Sequence, residues 1–299
     1  MAPIRIPNPI PNNDTVHWPK AMQGKVIVIT GGTSGIGQVA AERLAAMGAR
    51  IVLVARSQRR GEATLAKLRQ LAPGVKHGIH YGDLSRLAEL KRVGQEIAAA
   101  EPRIDVLINN AGAVFNPRQL TEDGLELTFA TNHLSYFVLT QLLREPLVAT
   151  GTARVVNTSS HAHYRAKIDF DDLQMQNKYS PIRAYGVSKL CNILYTRGLA
   201  RRLQGTGITA NSLHPGFVKT RIGDDASGFG AALFRLMKKF AITPEKGAET
   251  IVYLASSDDV AKTTGLYYYK CKPVEPSKVA QDDALAERLW DYTDRLLTH

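Results

Sequence analysis

VITGGTSGIG, residues Val28 to Gly37, decides the fold. Its first three residues end an apolar, β-branched run, KVIVIT (25–30), and four glycines follow at once: Gly31, Gly32, Gly35 and Gly37. A β-branched run of this length reads as a strand. The glycines after it fit either a plain turn or a place where backbone must come unusually close to something else. The rest of the sequence chooses between the two.

Short β-branched runs alternate with longer amphipathic stretches along the whole chain. Strands are expected at 25–30, 49–55, 76–82, 105–110, 153–160, 208–214 and 265–270. Helices are expected near 36–48, 58–71, 85–100, 121–149, 182–204 and 244–256. Near-continuous apolar strands joined by helices make a parallel sheet covered on both faces, with right-handed crossovers. No Pro/Ser-rich linker or internal repeat interrupts the body. The expected fold is therefore α/β: a single doubly wound parallel sheet of about seven strands. An N-terminal arm (1–23) precedes the domain (24–299), which ends in a helix at about 279–297.

In that frame the glycines sit at the first strand-to-helix turn, where open parallel sheets bind nucleotides. Backbone N–H groups of Gly31, Thr33, Ser34, Gly35, Ile36 and Gly37 can approach a pyrophosphate at the start of the next helix. The spacing is T-G-x-x-x-G-x-G, with Thr33 and Ser34 as helix caps. The second strand ends VLVAR, with Ala55 where an acid would bind the ribose 2′-hydroxyl and Arg56 just beyond. A guanidinium there pairs with a 2′-phosphate, so the expected cofactor is NADP(H). GDLS (82–85) puts Asp83 and Leu84 beside an adenine ring, and NNAG (109–112) ends the fourth strand with Asn110, Ala111 and Gly112.

Composition narrows the class. The chain has 299 residues, 44% hydrophobic and 22% charged, as soluble globular proteins do. Two cysteines, Cys191 and Cys271, set no disulfide framework, so a reducing, cytoplasmic setting is expected. Cysteine and histidine show no metal-ligand spacing. The Pro- and Asn-rich start lacks the apolar core of a signal peptide, and no later segment reaches the ~18 apolar residues of a spanning helix. The net charge of +11 is scattered, with runs no longer than pairs such as Arg59-Arg60 and Lys238-Lys239. It reads as a solvated basic surface that partly serves an anionic cofactor, and no nucleic-acid partner is expected.

AYGVSKL (184–190) places Tyr185 and Lys189 at i and i+4, on one face of a helix. A tyrosine ordinarily titrates near pH 10, and a neighbouring ammonium lowers that value, which makes Tyr185 usable for proton transfer to or from an alcohol oxygen. VVNTSS (155–160) ends the fifth strand on the same rim, where Ser160 can donate to a substrate carbonyl.

These features together resemble the short-chain dehydrogenases/reductases. T-G-x-x-x-G-x-G, NNAG, TNHLSYF (131–137), the strand-end serine, Y-x-x-x-K and HPG (214–216) occur in that family's order across residues 24–270. The resemblance implies a Rossmann-type fold with Tyr185 as acid/base and Lys189 on the nicotinamide ribose. It also implies that Ser160, rather than Ser159, orients the carbonyl. Asn132 would hold a helix backbone and a water of the proton relay, and Pro215, Val218 and Thr220 would line the nicotinamide amide. NHLSYFVLT, SSHAHYRAKIDFDDLQ and CNILYTRGLARRL are similar to the retinol dehydrogenase and WW-domain oxidoreductase branch, without that branch's membrane anchor or WW domains.

The implied activity interconverts a lipophilic ketone or aldehyde and its alcohol. Substrate walls are expected from Ala113–Phe115, His161–Tyr179 and an apolar lid at about 222–243, and a homodimer through the helices at 121–149 and 182–204. The alternative is an NADP(H)-binding scaffold or redox sensor of the same fold, against which the intact Tyr185, Lys189 and Ser160 weigh. Epimerases and dehydratases share Y-x-x-x-K but carry T-G-x-x-G-x-x-G, which is absent here.

Overall fold

Strand β1 (Val26–Thr30) is buried over its last four residues because it has a strand on each side and helices above and below. The computed structural model describes residues 21–217 and 242–297. β1 pairs in parallel with β2 (Arg50–Ala55), Ile27 lying beside Ile51, and with β4 (Val106–Asn109), Ile27 lying beside Val106. β3 (Gly78–Tyr81) extends the sheet beyond β2. On the other side follow β5 (Arg154–Thr158), β6 (Thr209–Leu213) and β7 (Tyr267–Tyr269), all parallel. The order 3-2-1-4-5-6-7 reverses between β1 and β4, so the carboxyl ends of those two strands flank a crevice.

The seven expected strands are present, and an eighth joins them. β8 (Lys272–Pro273) pairs antiparallel to β7 across a turn in which Lys270 and Cys271 both take positive φ, 50° and 60°. A two-residue strand carries no periodicity of its own.

Successive strand residues face opposite sides and build two cores. Ile27, Ile29, Ile51, Leu53 and Ile108 pack with α1 (Gly35–Ala46), α2 (Gln58–Leu71) and α8 (Pro244–Ser256). Val28, Val52, Val54, Leu107 and Val155 pack on the other face with α3 (Leu87–Ala100) and α7 (Pro181–Arg202). The expected helix at 121–149 is broken into pieces. Glu126 caps a single turn, α4 (Leu127–Phe129), by accepting from the N–H of Thr128 and Phe129. A π turn (Ala130–Leu134) follows, then α5 (Ser135–Leu142) and α6 (Arg144–Val148).

The C-terminal helix is shorter than expected. A 3₁₀ turn (Lys278–Gln281) leads to Asp282, which caps α9 (Asp283–Arg295) by accepting from Leu285 N–H. α9 lies along α7. Trp290 stacks on Tyr195 at 5.6 Å and carries the Arg202 guanidinium 3.9 Å above its ring. Asp283 and Glu287 pair with Arg197, Arg201 and Arg202. Exposed pairs of this kind contribute little each; the buried Ala286 and Leu289 and the half-buried Trp290 hold the helix. Residues 1–20 of the expected arm and 222–241 of the expected lid lie outside the described residues.

The glycine turn is packed against β4 so closely that a Cβ on Gly37 would run into the Gly31 carbonyl oxygen and the Asn110 amide. The backbone oxygen cannot move aside without opening the turn. Gly37→Ala is expected to destabilise the protein by about 1–3 kcal/mol, read as a fall of several degrees in the thermal midpoint followed by circular dichroism.

Candidate active site

Thr30, the last residue of β1, fixes the start of the site. Its hydroxyl oxygen accepts from the N–H groups of Asn110 (2.9 Å) and Ala111 (3.0 Å) just past β4. The Asn110 amide returns the contact, donating to the carbonyls of Thr30 and Gly31 at 3.3 Å each. NNAG and the glycine turn are thus one unit across the crevice. Ser34 takes the extended backbone of an N-cap at α1, yet its side chain makes no cap hydrogen bond, so the expected capping is absent. The first-turn amides at Gly35, Ile36 and Gly37 are left for an outside acceptor, and α1 has no acid in its first turn. An uncapped, positively polarised helix end beside glycines fits a pyrophosphate.

Arg56 follows β2 with its side chain 66% exposed, 3.9 Å from an Asp83 oxygen. The other Asp83 oxygen accepts from Ser85 N–H (3.0 Å) and hydroxyl (2.8 Å), while Leu84 is buried. The guanidinium is therefore held near the end of β2 and remains open to solvent.

The π turn brings Asn132 inward. Its side chain pairs with both backbone groups of Ala113, accepting from N–H at 2.8 Å and donating to the carbonyl at 2.9 Å. It also donates to the Ser188 hydroxyl at 3.1 Å, which in turn donates to the Tyr185 carbonyl. A Cβ on Gly112 would stand 3.2 Å from Lys189 Nζ and 3.3 Å from Asn132 Oδ1, which measures how closely the three converge. Such π turns concentrate at functional sites.

Two adjacent serines close β5 and do different things. The buried Ser159 hydroxyl donates to the Lys189 carbonyl at 2.7 Å, inside the protein. Ser160 is half-buried, accepts from Ala162 N–H at 3.2 Å and lies close enough to the Tyr185 hydroxyl to favour its ionised form. Lys189 Nζ donates to the Thr158 carbonyl at 3.0 Å and stands 5.6 Å from the Tyr185 ring centroid. The expected lowering of the Tyr185 pKa is not found. Burial raises it, and the nearby Ser160 offsets only part of the rise. The Lys189 ammonium is itself desolvated and turned to Thr158, and burial pulls its pKa down to about 7.

Further partners of the site come from positions far apart in the chain. Asn192 donates to the carbonyls of Asn132 (2.9 Å) and Thr158 (3.2 Å), tying the π turn to β5 through α7. An aromatic cluster lies beside Ser160: His214 stacks on Tyr269 at 4.1 Å, with His161 at 5.7 Å and Tyr267 at 5.8 Å. Its only trace in the sequence is the pair of aromatic-rich strand ends, SLHPG and GLYYYK. Pro215 is half-buried just beyond β6; Val218 and Thr220 lie outside the described residues.

The family profile described as short chain dehydrogenase matches residues 25–228. The chain belongs to the short-chain dehydrogenase family. Among relatives, mouse Retinol dehydrogenase 14 is 40% identical, covering 92% of this chain and 86% of that protein. Mouse Retinol dehydrogenase 12 is 41% identical with the same coverage. A chloroplastic Short-chain dehydrogenase TIC 32 B from Brassica napus is 38% identical over 90% of this chain and 88% of its own. Of solved structures, an uncharacterised protein from Mycobacterium Paratuberculosis aligns with TM-score 0.75 and 34% identity over 94% of this chain and 97% of that one. A Serratia marcescens short-chain dehydrogenase/reductase mutant aligns at 0.66 and 27%, over 83% and 96%. This short-chain dehydrogenase is an oxidoreductase of the retinol dehydrogenase-like kind, and the family's nicotinamide cofactors are NAD or NADP. Among the described residues, no helix is long and apolar enough to cross a membrane.

Lys189 gives a test of the buried charge. Unfolded, it binds a proton up to its ordinary value of 10.5; folded, it releases it above about 7. Burying the charged form is a cost that is complete below pH 7 and fades as pH rises towards 10.5. Thr158 keeps the Asn192 donor when the lysine is removed. Lys189→Met is therefore expected to raise the thermal midpoint at pH 6, with the gain shrinking at pH 10. A variant less stable than the parent at pH 6 would contradict it.

Proposed function

We propose that the chain is an NADP(H)-dependent oxidoreductase that interconverts a lipophilic ketone or aldehyde and its alcohol. One observation carries this reading: the hydroxyls of Ser160 and Tyr185 meet beside Lys189 and Asn132, at the end of the crevice that starts at the glycine turn. Gly31, Thr33, Ser34, Gly35, Ile36 and Gly37 would hold the pyrophosphate, Asp83 and Leu84 the adenine side, and Asn110, Ala111 and Gly112 the ribose and ring. Pro215, Val218 and Thr220 would line the nicotinamide amide. When bound, the nicotinamide exchanges a hydride with the carbonyl or carbinol carbon.

The chain's own residues handle the proton. Ser160 donates to the carbonyl oxygen and holds it against the Tyr185 hydroxyl. Tyr185 is kept protonated by burial and gives its proton to that oxygen as negative charge develops there. Lys189, when its Nζ carries a proton, stabilises the phenolate left on Tyr185, whose ring centroid lies 5.6 Å away. Asn132 keeps the backbone of Ala113 and the π turn in register with α7.

NADP(H) over NAD(H) rests on Ala55 and the exposed Arg56, with no acid at the end of β2. The apolar and aromatic surroundings of Ser160 favour a lipophilic substrate, and retinal-type aldehydes belong in the first panel because relatives bear that name. Two unpaired cysteines support a reducing, cytoplasmic setting. A homodimer through the helices at 121–149 and 182–204 belongs to this reading, and a light-scattering mass near the 32.7 kDa monomer at micromolar concentration would rule a stable dimer out.

Two variants test the reading. Tyr185→Phe keeps the ring and removes the hydroxyl, and is expected to lower kcat by about 10²–10⁴-fold with NADPH affinity unchanged by fluorescence titration. Retention of more than about a tenth of the turnover sinks the acid/base assignment. Arg56→Ala is expected to weaken NADPH binding about tenfold or more while leaving NADH unaffected, as loss of one charge-assisted contact would. Equal affinities of the parent protein for NADPH and NADH would overturn the cofactor choice.

A further inference from the structure

We propose that the C-terminal segment 275–295 is a positioning element of the catalytic site, joined to it by two buried uncharged histidines, His163 and His133. The proposal rests on the oxidoreductase reading above and adds a role to residues outside its machinery.

His163 is fully buried on the 3₁₀ turn that follows Ser160. Its Nδ1 lies 2.7 Å from the Ser160 carbonyl, which can only accept, so Nδ1 carries the proton. Its Nε2 receives the backbone N–H of Ser277 at 3.1 Å, so that nitrogen is bare. One neutral tautomer satisfies both contacts, and burial holds the ring uncharged by pulling its pKa down to about 4. Next to it, the Tyr164 hydroxyl donates to the Glu275 carbonyl at 2.6 Å. Residues 275–277 are thereby fastened to the backbone that carries the Ser160 hydroxyl.

His133 makes the second join, from inside the π turn. Two carbonyls, of Asn132 and Thr158, take the Asn192 amide N–H₂, which turns the amide oxygen towards His133 Nδ1 at 3.3 Å. That nitrogen therefore donates, and Nε2 accepts from the Thr293 hydroxyl, 3.2 Å away on α9. The same hydroxyl lies 2.8 Å from the Leu289 carbonyl, which shares it. Burial again keeps the ring neutral, with a pKa near 4. The path runs from Thr293 through His133 and Asn192 to the Thr158 carbonyl, the acceptor of Lys189 Nζ.

Both joins end on backbone carbonyls that set catalytic side chains, and neither histidine touches the reacting groups. Loosening them should misplace those groups and so act on kcat; misplacement of about 1 Å can cost ~10²-fold.

Ser277 tests the first join because its φ is −57°, which proline adopts, and proline both removes the N–H and sets its ring Cδ against His163 Nε2, so the contact is broken. Ser277→Pro deletes that donor, whereas Ser277→Ala keeps it and removes only the hydroxyl cap on Ala280. Expected are a fall in kcat of about tenfold or more for Ser277→Pro, little change for Ser277→Ala, and similar KM and NADPH affinity in both. Thr293→Val should behave like the proline variant and Thr293→Ser like the parent, which keeps the test open if Ser277→Pro does not fold. Unchanged kcat in Thr293→Val overturns the second join, and equal kcat in Ser277→Pro and Ser277→Ala overturns the first.

A readout independent of turnover is the imidazole ¹⁵N–¹H correlation spectrum at pH 7. His163 and His133 should both show the Nδ1–H tautomer, with the His163 signal altered in Ser277→Pro. An Nε2–H tautomer at either ring refutes that join even if no carbonyl substrate is found. A parent protein with no turnover but both tautomers as expected would count against the oxidoreductase reading and for the joins.

Discussion

The main-chain carbonyl of Thr158 is the point on which the site hangs. It closes β5 and accepts both the Lys189 ammonium and the Asn192 amide, from the same face of α7. Among the described residues the lysine is buried with no carboxylate partner, and it is compensated by this oxygen and the faces of Tyr185 and Tyr136, 5.6 and 5.5 Å away. A cation so placed is expensive, and its depressed pKa expresses that expense. Around it Asn109 donates to Asn157 and Thr140, Asn157 pairs with Thr196, and Asn132 pairs with Ala113 and Ser188, while the buried Asn109 Oδ1 and Tyr136 hydroxyl have no hydrogen-bond partner among the described residues.

The two cores give that network a rigid base. Alternate residues of β1, β2 and β4 are committed to opposite faces, so none of these strands can slip by one position without exchanging its cores. Their ends, at Thr30, Ala55 and Asn109, are held in line, and the glycine turn and NNAG meet there. Chemistry then needs only residues that follow the strand ends, and the chain supplies them from β4, β5, the π turn and α7.

How much of this could be read beforehand follows from how local each feature is. The strands, the glycine turn and the i, i+4 spacing of Tyr185 and Lys189 are contiguous patterns, and they stand where the periodicity put them. Ser159 and Ser160 are identical in composition and neighbourhood; only the pleat, which sends successive side chains opposite ways, separates an inward bond to Lys189 from a side chain turned towards Tyr185. The direction of the Tyr185 shift depends on burial, which a helix spacing does not encode. The π turn arises where Asn132 and Asn192 bond across 60 positions, and His133 meets Thr293 across 160. No window along the chain contains both ends of such a contact.

The turn at Lys270 and Cys271 has a consequence for the molecule among its copies. An open sheet of parallel strands offers an outer row of unpaired N–H and C=O groups that another chain can extend. Here β7 is covered by β8, which runs the other way, lasts two residues and ends in Pro273, a residue with no N–H to donate. Lys270 and Lys272 stand beside it, so an approaching strand meets charge and a missing donor together. A fold built by adding strands in one direction is closed, on this side, by a segment that cannot be added to.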